Sequence, residues 1–204
     1  MAEPRLVTLT GEAIRPRLRD LARLRATVFR DWPYLYEADA AQEDEYQGAY
    51  ARSPHMHLIL ALDGEEAIGA ATCLPLRDES ANVRAPFESA GLDVTRFFYF
   101  GESVLLPAYR GTGLGVRFFE AREAIARAHG NAAFATFCAV IRPDDHPLRP
   151  PATGDLHAFW RKRGYVPIAV ECRMCWRDLG QPDETEKTLR FWAKPLRDEP
   201  LPVA

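Results

Sequence analysis

Residues 97–119 read FFYFGESVLLPAYRGTGLGVRFF and combine three patterns in a short span. The apolar run at 97–106 predicts a strand, because a run of this kind bounded by turn residues is typical of a buried strand. The glycine-rich residues 107–115 predict a loop, and the amphipathic residues after them predict a helix. A glycine loop at a helix N-terminus leaves backbone N–H groups free beside a positive helix end. Such a site favours a phosphate group.

The spacing of the glycines narrows the choice of phosphate ligand. A Walker A loop needs Lys-Ser or Lys-Thr after its last glycine, where this chain has Val116 and Arg117. A dinucleotide-binding loop needs G-x-G-x-x-G, where this chain reads G-x-G-x-G. The spacing that is present is Arg-x-x-Gly-x-Gly, at Arg110, Gly113 and Gly115. With the strand and proline before it, this motif resembles the pyrophosphate-binding loop of the GNAT superfamily of acyl-CoA-dependent N-acetyltransferases. The alternative interpretation is a tight turn with a solvated arginine.

The composition is that of an ordinary globular protein. The chain has 204 residues, of which 47% are hydrophobic and 27% are charged, and this length suits one domain with a buried core. A formal net charge of −3 gives no indication of binding to nucleic acid or to an anionic membrane. We see no signal-peptide segment and no run long enough to span a membrane, so we expect a cytoplasmic protein. The four cysteines lie mostly in apolar stretches, so we expect reduced core thiols.

Periodicity along the chain predicts the order of its elements. We predict strands at 6–9, 57–62, 66–76, 97–106, 132–141, 166–176 and 188–193, and helices at 11–29, 40–51, 86–90, 114–129 and 155–163. Without the short helix at 86–90, the order is β-α-α-β-β-β-α-β-α-β-β, a mixed α/β sheet, which is also the order of the GNAT acyl-CoA N-acyltransferase fold. We therefore expect residues 1–194 to form a single GNAT domain, followed by a proline-rich tail at 195–204.

The resemblance implies where acetyl-CoA would bind as a cosubstrate. In GNAT enzymes the central strand separates from its neighbour, and its free backbone groups hold the pantetheine arm. The corresponding groups here are the N–H groups of Ser103 and Leu105, on either side of Val104. The pyrophosphate would lie beside Arg110 and would be held by five backbone N–H groups, those of Gly111, Thr112, Gly113, Leu114 and Gly115. No metal is expected.

The resemblance also implies that the connection between the first two helices lines the acceptor site. This connection is dense in aromatic residues, and Trp32, Tyr34 and Tyr36 would form an aromatic wall there. The alternative is that these rings belong to the core. The loop at 142–154, with four prolines, leaves the end of a central strand, where α/β proteins tend to place sites. We expect this loop to shape the acceptor pocket.

The acid–base groups are harder to predict. Glu102 is the one acidic residue on the predicted central strand, and a buried carboxylate is costly unless it is hydrogen-bonded or functional. It is either the general base that deprotonates the amine or a structural carboxylate. Many GNAT members carry a tyrosine as general acid in the late aromatic motif, but this chain has Trp160 there, and an indole cannot protonate a thiolate. Tyr165 lies five residues on, where the family usually has an aromatic residue for packing. Tyr99, Cys138, His146 and solvent stay open as sources of that proton.

The sequence thus predicts an N-acetyltransferase that transfers an acetyl group from acetyl-CoA to a primary amine by direct attack in a ternary complex. The expected partner is a small-molecule amine acceptor, without nucleic acid or membrane, and a homodimer stays open. The alternative is a non-catalytic protein of the same fold that binds acyl-CoA as a sensor or scaffold. The tryptophan at position 160 would favour that alternative.

Overall fold

The computed structural model describes residues 3–38, 53–151 and 156–202. Its strands are β1 (Arg5–Thr10), β2 (His57–Asp63), β3 (Glu66–Pro75), β4 (Phe97–Tyr99), β5 (Ser103–Leu105), β6 (Phe134–Val140), β7 (Val166–Arg177) and β8 (Glu184–Pro195). Its α-helices are α1 (Leu18–Val28), α2 (Ala81–Ser89), α3 (Leu114–Ala128) and α4 (Leu156–Arg161). None of these helices is long and apolar enough to cross a membrane. The predicted helix at 40–51 lies outside the described residues.

The strands form one mixed sheet. Over the described ranges the order is β1-β2-β3-β4-β6-β8-β7, and β5 pairs with residues 69–71 of β3, nearer the start of that strand than the residues that pair with β4. Neighbouring strands are antiparallel except β4 and β6, which are parallel with Phe97 opposite Phe134. Parallel neighbours need a long crossover connection, which contains β5 and α3 here. The predicted mixed α/β class is confirmed.

Alternate residues of the central strands face two different cores. In β3, Ala70 and Leu74 point to the face covered by α1 and α2, whereas Ala71 and Cys73 point to the face covered by α3 and α4. This alternation follows from the two-residue period of a strand. It explains why the central strands read as continuous apolar runs, since both of their faces are buried.

One strand prediction is wrong in a way that matters for the site. Residues 97–106 read as a single central strand, but the structure divides them into β4 and β5, because the pairing with β6 ends after β4 while the pairing with β3 continues with its register shifted by one residue. The Phe100 N–H still donates to Thr136 O on β6 at 2.8 Å, and the Gly101 N–H donates to Thr72 O on β3 at 3.2 Å. An apolar run predicts burial and not pairing, so the sequence did not reveal this change.

The other boundaries differ from the predictions by several residues. The first predicted helix begins as a 3₁₀ segment, Gly11–Arg17, before α1, and it contains Pro16, which has no N–H to donate into an α-helical ladder. The helix expected at 86–90 starts earlier, as α2, and the last strand extends farther at both ends. The remaining strands and helices predicted within the described ranges are present.

Candidate active site

The loss of the pairing with β6 after β4 opens the sheet into a fork. Over its three residues β4 lies between β3 and β6, but β5 pairs only with β3 within the described part of the chain. The second half of β6, residues 137–140, pairs with β8 alone among the described strands. The backbones of β5 and β6 therefore face each other without a hydrogen-bonded ladder between them.

Two backbone N–H groups of β5 point into this fork. On the side of this strand that faces β3, the Glu102 carbonyl accepts a hydrogen bond from an N–H of β3 at 3.1 Å, and the Leu106 N–H donates to a carbonyl of β3 at 3.0 Å. Backbone groups alternate in direction along a strand, so those of Ser103 and Leu105 point away from β3. The side chain of Val104 between them is fully buried in the core beneath α1.

The glycine loop contains two residues in the left-handed region of backbone conformation. Gly111 has φ +81° and Gly113 has φ +88°. A Cβ atom at either position would meet no atom within 4 Å, so conformation rather than crowding is what requires glycine. Gly113 is the N-cap of α3, and its carbonyl accepts from the Val116 N–H at 3.0 Å. No atom in the described ranges accepts a hydrogen bond from the N–H groups of residues 111–115.

These free N–H groups and the positive end of α3 form a site suited to an anion. Arg110 adds a half-exposed cation there, with its Nε 3.4 Å from Leu105 O and its guanidinium 3.8 Å from the Asp31 carboxylate. Thr112 closes the turn by donating from Oγ1 to Tyr109 O at 2.7 Å. The loop therefore presents phosphate-binding groups beside the end of β5.

The first two residues of α3 differ in their surroundings. The Leu114 side chain is buried against the sheet. Gly115 lies beside the ring of Phe159 on α4, and a Cβ at this position would come within 3.4 Å of that ring. The start of α3 thus packs directly against α4 at this glycine.

Glu102 lies in the break between β4 and β5. Its carboxylate is only 7% exposed and forms an ion pair with the Arg25 guanidinium on α1, which is 12% exposed. Its backbone N–H donates to Thr72 Oγ1 at 2.7 Å. An acceptor ammonium that approaches Glu102 must compete with this guanidinium or reach the carboxylate through water. The ion pair is compatible with either role for Glu102, base or structural carboxylate.

The three aromatic residues predicted for the acceptor wall lie in different environments. Tyr36 is a buried member of the core beneath α2. Tyr34 packs between two other aromatic rings, with centroid distances of 4.4 and 5.9 Å. Trp32 is partly exposed, and its ring lies 5.2 Å from the ring of His146. This last contact brings the aromatic loop against the proline-rich loop that follows β6.

A group of hydroxyl and thiol side chains lies where the fork begins. The Tyr99 hydroxyl and the Cys138 thiol are 3.2 Å apart and connect the end of β4 to β6. A hydrogen bond with the Cys172 thiol, together with burial, raises the pKa of Cys138 well above its usual range. Burial also raises the pKa of Tyr34 well above its usual range. Both groups stay protonated at neutral pH, so neither is a base in the free protein.

Trp160 occupies a packing position. Its ring contacts those of Phe137 on β6 and Trp192 on β8, with both centroid distances at 5.0 Å. The structure thus gives this residue a role in the core between α4 and the sheet.

Sequence reasoning missed three arginines that surround the site. Arg25 pairs with Glu102, Arg122 of α3 donates to the Glu102 carbonyl at 3.2 Å, and Arg142 donates to the Asp178 carboxylate at 2.8 Å. Arg25 and Arg122 each lie four positions after a buried apolar residue of the same helix, so their place on its apolar side was a signal that sequence reasoning overlooked, whereas nothing in the sequence marks Arg142. Their partners come from distant parts of the chain.

Comparison with known proteins agrees with this geometry. A family model described as Acetyltransferase (GNAT) family matches residues 21–165. No curated protein matches the chain significantly. Many solved structures do match it.

Three of these structures illustrate the likeness. An aminoglycoside 6'-N-acetyltransferase complexed with coenzyme A has a TM-score of 0.58 at 15% identity, covering 96% of this chain and 99% of that one. A ribosomal-protein-alanine N-acetyltransferase from Brucella melitensis has a TM-score of 0.59 at 13% identity, covering 93% and 99%. A GNAT-family acetyltransferase from Staphylococcus aureus Mu50 has a TM-score of 0.56 at 11% identity, covering 95% and 100%. At these identities the structures establish the fold, and the match of the family model over most of the chain shows that this protein belongs to the GNAT family of acetyltransferases.

Proposed function

We propose that this protein is an N-acetyltransferase that moves the acetyl group of acetyl-CoA to a primary amine of a small acceptor in a ternary complex. The observation that carries the proposal is the fork between β5 and β6, which opens beside the glycine loop at the start of α3. Membership of the GNAT family supports an acyl-CoA donor. Residues 1–194 form the catalytic domain in this proposal, and the tail predicted from residue 195 begins packed on that domain, because β8 runs to Pro195 and Leu196 is buried in the core.

Acetyl-CoA would bind along the fork. Its pyrophosphate would accept hydrogen bonds from the N–H groups of residues 111–115, with Arg110 beside it. Its pantetheine arm would follow β5, where the N–H groups of Ser103 and Leu105 can donate to an amide or thioester oxygen. A donor that the strand already holds in place needs no reorganisation when negative charge develops on the thioester oxygen. Such a donor would stabilise the tetrahedral intermediate.

The acceptor amine arrives as an ammonium and must lose a proton before it attacks. Glu102 would take that proton, directly or through water, while Arg25 holds the carboxylate in position. The nitrogen lone pair then forms a bond to the thioester carbon, the carbon–sulfur bond breaks, the thiolate leaves, and the nitrogen loses its second proton to water. We assign no residue to protonate the thiolate, because Trp160 cannot do so and solvent is available to a good leaving group.

Two loops would form the acceptor pocket. The aromatic loop at 31–36 and the loop after β6 are joined by the contact between Trp32 and His146, which supports a shared wall. The names of two structural relatives point to an aminoglycoside and to the alanine of a ribosomal protein as acceptors of those proteins. Small amines and peptide N-termini both belong in a first screen here.

The proposal is tested by following the release of free CoA thiol from acetyl-CoA in the presence of an amine panel. The panel contains spermidine, kanamycin, several amino-acid amides and a short peptide with an N-terminal alanine. We expect at least one amine to raise thiol release above the rate of hydrolysis, with the acetylated product detected by mass spectrometry. Calorimetry on the same preparation measures acetyl-CoA affinity.

The panel also separates the two candidate functions. Tight acetyl-CoA binding without turnover of any amine would favour the non-catalytic sensor or scaffold, for which the packed position of Trp160 is the supporting observation. Absence of acetyl-CoA binding would contradict both candidates.

A further inference from the structure

Arg122 is a buried cation in the middle of α3. Its side chain is 1% exposed, and it takes part in no ion pair among the described residues. Burial lowers its pKa, since a guanidinium is costly to remove from water. The rings of Phe100 and Phe119 lie 4.6 and 4.7 Å from it and recover part of that cost. An apolar side chain could fill this space more cheaply, so the cation indicates a further role.

Arg122 forms hydrogen bonds with residues at the break in the central strand. Its Nη1 donates to the Glu102 carbonyl at 3.2 Å, and its Nη2 lies 3.5 Å from Ser103 Oγ. Its Nε donates to Phe118 O, one turn earlier in the same helix, at 3.2 Å. The guanidinium therefore connects α3 to the two residues at which β5 begins.

Thr72 holds the same peptide groups from β3. Its N–H donates to the Glu102 carbonyl at 3.1 Å, and its Oγ1 accepts from the Glu102 N–H at 2.7 Å. Its carbonyl accepts from the Gly101 N–H at 3.2 Å. Thr72 is fully buried, so no water competes for these bonds. Residues 101 and 102 are thus clamped between a helix and a strand.

We propose that Arg122 and Thr72 are positioning residues that fix the strand break, and through it the directions of the Ser103 N–H and the Glu102 carboxylate. The inference rests on the proposed function, in which those two groups meet the thioester and the amine. Because α3 starts at the glycine loop, Arg122 also ties the phosphate-binding end of the site to the strand that would carry the thioester. A displacement of about 1 Å between reacting groups can cost about a hundredfold in rate.

Three variants test this clamp. Thr72→Val keeps the shape of the side chain but removes the oxygen that accepts from Glu102, and Thr72→Ser keeps that oxygen as the matched control. Arg122→Lys keeps the charge but cannot reach all three acceptors with one nitrogen. Acetyl-CoA affinity, kcat with the fastest amine of the panel above, and melting temperature are measured for each variant and for wild type.

We expect Thr72→Val and Arg122→Lys to lower kcat by about ten- to a hundredfold, with a much smaller change in acetyl-CoA Kd. Thr72→Ser should restore most of the turnover. Should Arg122→Lys fail to fold, the two Thr72 variants decide the question without altering the buried cation. Normal kcat per folded molecule in Thr72→Val, with only a lower melting temperature, would overturn the inference. A wild-type protein that turns over no amine would instead overturn the proposed function.

Discussion

At the residue scale, the left-handed backbone of Gly113 is the most sensitive point of the glycine loop. Gly113→Ala strains the turn and adds a methyl group where a phosphate would bind. Gly130, with φ +80° just beyond the other end of α3, also has open space around a Cβ, so Gly130→Ala is a control for strain alone. We expect both variants to lose about 1–2 kcal/mol of stability. By calorimetry, Gly113→Ala alone should lose about tenfold or more in acetyl-CoA affinity. Equal affinities would show that this loop does not hold the cofactor.

The two possible roles of Glu102 are separated by removing one partner of its ion pair at a time. If Glu102 is the base, Glu102→Gln should lower kcat by about a hundredfold to ten-thousandfold with acetyl-CoA affinity nearly unchanged. The loss should shrink as pH rises, because more of the amine is then already neutral. Arg25→Gln keeps the carboxylate and should lose much less turnover. If Glu102 is structural, both variants will melt at lower temperature and keep their kcat per folded molecule.

At the element scale, one buried ion cluster anchors the aromatic loop to the ends of three strands. Arg142, just after β6, donates to both oxygens of the Asp178 carboxylate at 2.8 and 2.9 Å. The same guanidinium donates to Pro33 O at 2.9 Å and to Tyr34 O at 2.6 Å. Lys187 of β8 lies 3.2 Å from the carboxylate. The proposed acceptor loop is therefore held by charge as well as by ring packing.

This cluster makes the free energy of unfolding depend on pH in the acid range. Burial raises the pKa of Asp178, but hydrogen bonds from Arg142 and Lys187 outweigh it and hold that pKa below its usual range. The stabilisation is therefore present above the unfolded pKa of about 3.9 and is lost as pH falls through the lower folded value. Asp178→Asn should lower the free energy of unfolding by about 3–5 kcal/mol at neutral pH, since it leaves two buried cations unpaired.

The measurement is urea unfolding of wild type and Asp178→Asn between pH 7 and pH 3. We expect the difference between the two proteins to narrow below about pH 4, as the wild-type carboxylate becomes protonated. Glu186→Gln, which breaks an exposed pair with Arg173, serves as the control and should cost no more than about 1 kcal/mol. A constant difference across this range would show that the charge of Asp178 is not what anchors the loop.

At the scale of the whole molecule, acetyl-CoA bound in the fork would connect the two halves of the sheet. A ligand present at about a hundred times its Kd adds about 2.7 kcal/mol to stability. For a chain of this size that corresponds to a rise of about 5–10 °C in melting temperature. S-acetylpantetheine lacks the pyrophosphate and should give a much smaller shift at the same concentration. Slower hydrogen exchange at residues 103–106 and 137–141 should accompany the shift, and a wild-type protein without either effect would contradict the proposed location.

The sequence by itself determined those features that depend on residues close together in the chain. The spacing of Arg110, Gly113 and Gly115 indicated an anion-binding helix start, because free N–H groups and positive φ belong to a few consecutive residues. Periodicity likewise indicated nearly all of the strands and helices in the described ranges and, through their order, the mixed sheet. The resemblance to the GNAT family, confirmed by the family model, rested on the same local motif. The roles of the individual site residues stay predictions.

Only the tertiary structure decided how the site is assembled. A run of apolar residues reports burial, so the sequence could not show that the pairing with β6 ends at Phe100 while the pairing with β3 continues. Ion pairs depend on which segments meet in space, and Arg25 and Glu102 are 77 positions apart along the chain. The spacing of α3 places Arg122 on the apolar side of the helix, but only the fold shows that it contacts the strand break. Contacts between segments that are distant along the chain fix the strand pairing and the positions of these side chains. No local sequence pattern encodes such contacts.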